Sequence, residues 1–268
     1  TVKSKAVYSA AAAQMTVPWF KLETPITPMP NKDPRQELME LAGAVRGHLE
    51  TLSLMGIDLP QKQRIGGEFA WPEPPEPPMT KQQQLDKLYE EIKDCHTCRY
   101  AETRTNLVFG DGNPDAKVLF IGEAPGEEED KQGVPFVGRA GKLLDKIVDA
   151  MGLDRQKDIY IANILKCRPP GNATPTPNDR ATCGPYLERQ IDIIQPEVIV
   201  TLGLTAAQYL LETTESMGQM RGRFHEYRGI KVMPTYHPAY LLRSYTKTNR
   251  QKVWDDMQKV MEALGEEG

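Results

Sequence analysis

Residues 117–141, with the sequence KVLFIGEAPGEEEDKQGVPFVGRAG, constrain the fold more than any other stretch of the chain. They open with a run of apolar, β-branched and aromatic residues, which predicts a buried strand that ends at Gly122. A sharp Gly/Pro turn, an acidic loop and a second turn carrying Phe136 follow, and a helix begins near Gly138. Carboxylates and a ring therefore stand at the carboxyl end of a strand, where open α/β sheets bind ligands. The alternative interpretation is a solvated acidic surface loop.

The rest of the second half repeats this alternation of strands and helices. Further strands are predicted at residues 158–165, 197–203 and 230–235. Helices are predicted at residues 84–93, from about 179, at 204–211 and at 247–264. Short strands that alternate with helices imply a parallel sheet with helices on both faces, which is an α/β fold.

The N-terminal third has a different composition and predicts an irregular and helical extension. Residues 1–32 show little apolar periodicity, as expected for a flexible arm. A helix of roughly 20 residues begins at Asp33-Pro34, with proline in its first turn and apolar residues at helical spacing. Residues 60–80 form a Pro-rich linker. We place a domain boundary there, which gives an extension at 1–80 and a main domain at 81–268.

Charge and hydropathy narrow the setting in which the protein works. The formal net charge of −4 argues neither for nor against nucleic acid, so a phosphate-binding face must come from local basic clusters. No apolar run approaches the ~20 residues of a membrane span, and the Ala/Ser-rich opening makes a poor secretion signal. We expect a soluble cytoplasmic protein that does not bind membranes.

The chain has four cysteines, which suggest a metal centre. Cys95 and Cys98 form a CxxC pair, whereas Cys167 and Cys183 are separated by a long Pro-rich loop. An intracellular setting disfavours disulfides, and four thiolates can hold zinc or an iron–sulfur cluster. Zinc sites usually show two tight pairs, so the split second pair favours a [4Fe–4S] cluster and leaves zinc open. Disulfides or unrelated buried thiols are the alternatives.

Several polar and aromatic side chains follow the carboxyl ends of the predicted strands, and in a doubly wound sheet such positions converge on one crevice. They are Glu123, Glu129, Phe136, Asn163 and His237. This set of side chains suits a flat heterocycle attached to a sugar. The ring can stack on the heterocycle, and the amide can both donate to it and accept from it. The imidazole can donate to a developing oxyanion, and a carboxylate can position water. Each residue alone has a simpler explanation: core, turn, cap or strand terminator.

These motifs together resemble the family 4 uracil-DNA glycosylases, the iron–sulfur members of their superfamily. The resemblance covers residues 85–264, and the cysteine positions match as well. Its motifs are GEAPGEEED at 122–130, PFVGRAG at 135–141, NILKCRPP at 163–170 and HPAYLLR at 237–243. The resemblance implies a three-layer αβα domain with a four-stranded parallel sheet, a [4Fe–4S] cluster on the four cysteines, and excision of uracil from DNA.

The resemblance also implies roles for individual residues at the base. Phe136 would stack on the flipped uracil, Asn163 would read its Watson–Crick edge, and His237 would hydrogen-bond its O2 atom. The acidic motif, which opens at Gly122 beside the base, would supply a carboxylate that positions the hydrolytic water. The candidates are Glu123 and Glu129, and the sequence does not decide between them.

DNA contacts are implied by the same family pattern. HPAxLLR corresponds to a DNA-inserting loop, with Leu241 and Leu242 as wedge candidates that fill the gap left by the flipped base. Arg243 would contact phosphate, and Arg168, which the cysteine site holds in place, is a further DNA-binding candidate. The loop at residues 168–180 contains no histidine, so we expect hydrolytic release and not the covalent trapping of uracil seen in one set of relatives.

The expected reaction is hydrolysis of the N-glycosidic bond of uracil in DNA by base flipping, which releases uracil and leaves an abasic site. We expect a monomer associated with the nucleoid that acts on uracil-containing single- or double-stranded DNA, and the extension leaves room for an unknown protein partner. One alternative is an iron–sulfur nucleic-acid-binding module without turnover. Another is a redox protein that uses the cysteine site.

Overall fold

A computed structural model describes residues 33–57 and 78–265. The chain divides into two compact units, Thr1–Glu73 and Pro74–Gly268. The predicted flexible arm and most of the Pro-rich linker lie outside the described residues. The domain boundary near residue 80 therefore stays a prediction.

The described part of the first unit is helix α1 (Pro34–Leu54), at the position that the apolar periodicity predicts. The side chain of Asp33 caps its first turn by accepting a hydrogen bond from the backbone N–H of Arg35 at 3.0 Å. Large apolar residues at helical spacing along α1 are exposed; they include Leu38, Leu41, Val45, Leu49 and Leu52.

The described part of the second unit is built on a six-stranded mixed sheet. Its strands are β1 (Asp111–Gly112), β2 (Val118–Gly122), β3 (Ile159–Asn163), β4 (Val198–Leu202), β5 (His225–Tyr227) and β6 (Ile230–Thr235). They lie in the order β1-β3-β2-β4-β6-β5. The central strands β3, β2, β4 and β6 are parallel, which confirms the predicted four-stranded parallel sheet.

Two short strands at the edges of this sheet were not predicted. The antiparallel strand β1 pairs with β3, and β5 pairs antiparallel with β6. Arg228 and Gly229, which join β5 to β6, both have positive φ, +49° and +83°, as a two-residue hairpin turn requires. These strands have two and three residues, too few for an alternating pattern to be recognised.

Helices cover both faces of the sheet and complete the predicted three layers. They are α2 (Lys81–Ile92), α3 (Glu127–Gln132), α4 (Arg139–Ala150), α5 (Pro177–Ile194), α6 (Leu204–Leu210), α7 (Met217–Met220), α8 (Pro238–Arg243) and α9 (Lys247–Leu264). Leu119 and Ile121 of β2 share one core with α2, α5 and α6. Val118 and Phe120 share the other with α4, α8 and α9. Among the described residues, no helix has the length and hydropathy of a membrane span.

The acidic segment after β2 is helix α3, and the prediction of a loop there is wrong. Gly126 precedes the helix, and Gly133 ends it in the left-handed conformation with φ +73°. The acidic residues occupy the first turn, where carboxylates interact favourably with the exposed N–H groups of a helix. The segment carries no apolar stripe, so periodicity gave no sign of a helix.

Candidate active site

A cavity of about 830 Å³ opens at the carboxyl ends of the four parallel strands. Each of β2, β3, β4 and β6 delivers residues to its wall at the point where the strand ends. The structure brings the predicted acid, ring, amide and imidazole together in this one cavity. The predicted residues that line it are Glu123, Glu129, Phe136, Asn163, His237 and Arg243.

Phe136 forms one wall of the cavity and is only 5% exposed. Its ring centroid lies 5.6 Å from that of His237, and the two planes are inclined by 31°. Gly122 lies directly behind it, because a Cβ atom at this position would stand 2.7 Å from Phe136 Cζ and 2.3 Å from Asn163 Oδ1. Only glycine lets the end of β2 pass this closely behind both side chains.

Asn163 ends β3 with its side chain in the cavity wall, 2% exposed. Its Oδ1 atom is buried and accepts no hydrogen bond from the described residues. A buried acceptor without a donor costs about 1–3 kcal/mol, so this oxygen is available to a ligand that carries an N–H or O–H group. The buried Lys166 fixes the backbone here, since its Nζ donates to the carbonyl of Asn163 at 2.8 Å and to Gln190 Oε1 at 2.5 Å.

His237 follows β6 and caps α8. Its Nδ1 accepts a hydrogen bond from the backbone N–H of Ala239 at 3.0 Å, so in the neutral ring the proton is on Nε2. Burial lowers the pKa of His237 to about 4, helped by the positive charge of Arg243 and opposed by Glu129. The imidazole is therefore neutral at physiological pH and offers Nε2–H as a donor.

The two candidate carboxylates have different environments. Glu129 Oε1 accepts hydrogen bonds from the backbone N–H groups of Val137 and Gly138, at 2.9 and 2.8 Å, where α4 begins. Its side chain thus ties α3 to the start of α4. Glu123 lines the cavity, and its carboxylate makes no hydrogen bond with the residues that the structure describes. Of the two, Glu123 has both oxygens available.

The predicted DNA-inserting loop is the short helix α8, and its two wedge candidates, Leu241 and Leu242, differ in burial. Leu241 is 2% exposed and packs in the core beneath the helix, so it cannot enter DNA without leaving that core. Leu242 is half-buried, and Arg243 is exposed at the cavity rim. The exposed Tyr240 joins them there.

The cysteines form a separate group, outside the cavity lining. Cys167 and Cys183 are buried, and Cys95 and Cys98 pack half-buried against the same core. Burial raises the pKa of Cys167 and raises that of Cys183 to about 11, and nearby thiols add to both shifts. Arg104 Nη1 donates to the Cys167 sulfur at 3.2 Å.

The donor set of this cluster fits an iron–sulfur centre. A second N–H group, that of the Lys166 backbone, donates to the Cys183 sulfur at 3.3 Å. Such donors stabilise metal-bound thiolates. Among the described residues, however, no group of three or more His, Cys, Asp or Glu side chains is arranged to hold a metal ion, so the cluster stays a prediction.

Some residues of the site were not found from the sequence. The lining also contains residues around the ends of β4 and β6 and on α4, α7 and α8, namely Arg139, Leu202, Gly203, Leu204, Met217, Tyr236 and Tyr240. The strand-end rule that found Asn163 applies equally to Leu202 and Gly203. Arg168 does not line the cavity; its Nε donates to Asn172 Oδ1 at 2.8 Å and its Nη2 lies 3.7 Å from Glu127 Oε2.

Comparison with known proteins defines the class of protein that carries this site. The family model of the uracil DNA glycosylase superfamily matches residues 109–258. The chain belongs to that superfamily.

Individual relatives show which type of uracil-DNA glycosylase the chain belongs to. A type-4 uracil-DNA glycosylase of Thermotoga maritima is 44% identical over 191 residues, which are 70% of this chain and 99% of that protein. The type-4 enzyme of Saccharolobus solfataricus is 44% identical over 189 residues, 67% of this chain and 86% of its own. A type-5 uracil-DNA glycosylase of Thermus thermophilus is 29% identical over 149 residues, which are 51% of this chain and 66% of that protein. Within the superfamily, the chain belongs to the type-4 uracil-DNA glycosylases.

Proposed function

We propose that this glycosylase hydrolyses the N-glycosidic bond of uracil in DNA and releases the free base. The observation that carries the proposal is the buried, unpaired Oδ1 of Asn163 beside a ring and a neutral imidazole. Uracil has an N3–H group that can donate to this oxygen and carbonyl groups that can accept from the amide and the imidazole. The base has to leave the helix to reach the cavity, since the bond is inaccessible in stacked DNA.

In this proposal each side chain of the cavity has a separate role in the reaction. Phe136 stacks on the extruded base, and Asn163 holds its edge. As the bond between C1′ and N1 breaks, its electron pair moves onto the uracil, and the Nε2–H group of His237 donates to O2, where negative charge develops. Glu123 holds the water that bonds to C1′, accepts its proton, and stabilises the positive charge on the sugar.

The rim of the cavity provides the DNA contacts in this proposal. Leu242 fills the space that the flipped base leaves, Arg243 and Arg168 contact phosphate, and the exposed Tyr240 adds a ring at the rim. We also propose that the protein is a monomer, that its substrate is uracil-containing single- or double-stranded DNA, and that it works in the cytoplasm with the nucleoid. The nature of the substrate supports this location.

The test of the pocket is a glycosylase assay on uracil-containing oligonucleotides. We expect Asn163→Ala and His237→Ala each to lower the single-turnover rate by about two to three orders of magnitude, because each removes a contact to the departing base. Asn178→Ala, at an exposed position of α5, and His225→Ala, in edge strand β5, are matched controls and should keep the wild-type rate.

Two results would contradict this assignment. Unchanged rates in both cavity variants would remove the proposed pocket. Tight binding of uracil-containing DNA by the wild-type protein without release of the base would favour a nucleic-acid-binding module.

We propose in addition that Cys95, Cys98, Cys167 and Cys183 hold a [4Fe–4S] cluster. Four thiolates can hold either a zinc ion or an iron–sulfur cluster, and the long separation of Cys167 from Cys183 in the sequence favours the cluster. When bound, the cluster would supply structural cross-linking between the segment after α2, the loop after β3, and α5. The four thiols and the N–H donors of Arg104 and Lys166 support this choice.

The cluster is tested on protein purified without oxygen. We expect a brown protein that contains iron and inorganic sulfide, and loss of both in Cys95→Ser. Ser53→Ala, in α1, is a neutral control. A colourless protein that contains one zinc ion and no iron would contradict the cluster and leave the cavity proposal standing.

A further inference from the structure

Arg155 lies outside the cavity, between α4 and β3, but its contacts converge on the segment that carries the stacking ring. Its Nη1 donates to the carbonyl of Phe136 at 3.0 Å and to Asp145 Oδ1 at 2.7 Å. Its Nη2 donates to the carbonyl of Pro135 at 2.5 Å. Its Nε lies 3.4 Å from Asp111 Oδ2 in β1. The side chain is 18% exposed, so these hydrogen bonds are largely shielded from water.

The backbone of Phe136 needs support because it has an unfavourable conformation. Its φ of +52° lies in the left-handed region, which is strained for a residue with a side chain. Its carbonyl packs so closely on α4 that a Cβ atom at Gly141 would lie 1.8 Å from the oxygen. The carbonyl is thereby held between α4 and the guanidinium of Arg155.

The guanidinium is suited to this position by its shape. Its planar arrangement of donors can reach the carbonyl oxygens of two consecutive residues at once, which the single ammonium group of lysine does less well. Asp145 on α4 and Asp111 in β1 orient it from the other side. Arg155 therefore links the Phe136 segment to a helix and to an edge strand.

We propose that Arg155 is a positioning residue that fixes the backbone of Phe136 so that its ring stands ready to stack on the extruded base. Arg155 touches neither the base nor the reacting atoms. This inference rests on the proposed function, because it needs Phe136 to stack on the base.

A double-mutant cycle tests whether Arg155 acts through the ring. We expect Arg155→Ala to lower kcat/KM on a uracil-containing oligonucleotide by about 10- to 100-fold, as small misplacements of binding groups do. Phe136→Ala should lower it at least as much. Adding Arg155→Ala to Phe136→Ala should then cause no further loss, because there is no ring left to position. Arg155→Lys should recover part of the loss, and Arg189→Ala, which breaks an exposed ion pair with Glu91, is the matched control.

The outcomes separate this inference from the proposed function. If the losses from Arg155→Ala and Phe136→Ala multiply in the double variant, Arg155 acts on the fold in general and the proposal is overturned. An Arg155→Ala protein with the wild-type rate overturns it as well. If Phe136→Ala alone keeps the wild-type rate, the stacking role fails, and the positioning role fails with it. Should Arg155→Ala not fold, Arg155→Gln and Asp145→Asn repeat the cycle in milder form, with thermal unfolding as the check.

Discussion

At the scale of single residues, the two carboxylates after β2 show how environment assigns a role. Glu129 uses one oxygen to accept N–H groups at the start of α4, whereas Glu123 faces the cavity without a partner among the described residues. A carboxylate already engaged by the backbone contributes to the fold, and one that is free can hold water. We therefore assign the water to Glu123.

This assignment predicts different effects for the same substitution. We expect Glu123→Gln to lower the single-turnover rate by about 100-fold or more, because the amide neither takes a proton from water nor stabilises a cationic sugar. Glu129→Gln should keep most of the rate, since its amide oxygen can still accept both N–H groups, and should lower thermal stability slightly through the lost charge. Rates and unfolding curves measured side by side decide the matter, and a larger rate loss in Glu129→Gln would reverse the assignment.

The lowered pKa of His237 predicts how the stability of the protein and its cleavage rate depend on pH. Its pKa in the folded protein, about 4, lies below the ordinary value of 6.5, so between these values the unfolded chain binds a proton that the folded protein does not. Its contribution to stability is complete above about pH 6.5 and declines as the pH falls towards 4. We expect the acid limb of the cleavage rate to lie near pH 4, and the wild type to lose more thermal stability than His237→Gln between pH 6.5 and 4. An acid limb near pH 6.5 that disappears in His237→Gln would contradict this.

At the scale of elements, the strands that carry the site could be predicted and the elements that refine it could not. The central strands are runs of apolar, often β-branched residues, and their ends mark Asn163 and His237 directly. The helix after β2 could not be found because its stability comes from its charged first turn and glycine termini. The role of Arg155 depends on contacts with residues distant in the sequence, which no local pattern reveals.

Leu241 and Leu242 are adjacent on the short helix α8 and cannot be told apart from the sequence, but only Leu241 is buried. We expect Leu241→Ala to destabilise the protein by about 2–5 kcal/mol, because it opens a cavity in the core. Leu242→Ala should leave thermal stability nearly unchanged and lower the cleavage rate on double-stranded uracil-containing DNA more than on single strands, where no gap needs filling. Thermal unfolding and paired assays on the two substrates check this, and equal losses on both substrates would remove the wedge role of Leu242.

At the scale of the whole molecule, the comparisons match only part of this chain. The Thermotoga maritima relative matches 70% of this chain over 99% of its own length, and the superfamily match begins at residue 109. The described residues of the second unit contain the complete sheet, both cores and the cavity.

We therefore expect residues 78–268 alone to fold, to bind the same amount of iron as the full chain, and to excise uracil with an unchanged rate. The full-length protein assayed in parallel is the control. A large loss of activity in the shortened and folded protein would show that the extension takes part in the reaction, and would make the exposed apolar side of α1 the first place to look for the cause.

The unpaired oxygen of Asn163 has one more consequence, which concerns the end of the catalytic cycle. An N–H donor satisfies this buried oxygen, so a base that offers such a donor and binds the cavity stabilises the native state by linkage. Free uracil keeps its donor after the sugar bond is cut. We therefore expect the enzyme to retain its own product, to unfold at a higher temperature in its presence, and to be limited in repeated turnover by the departure of the base.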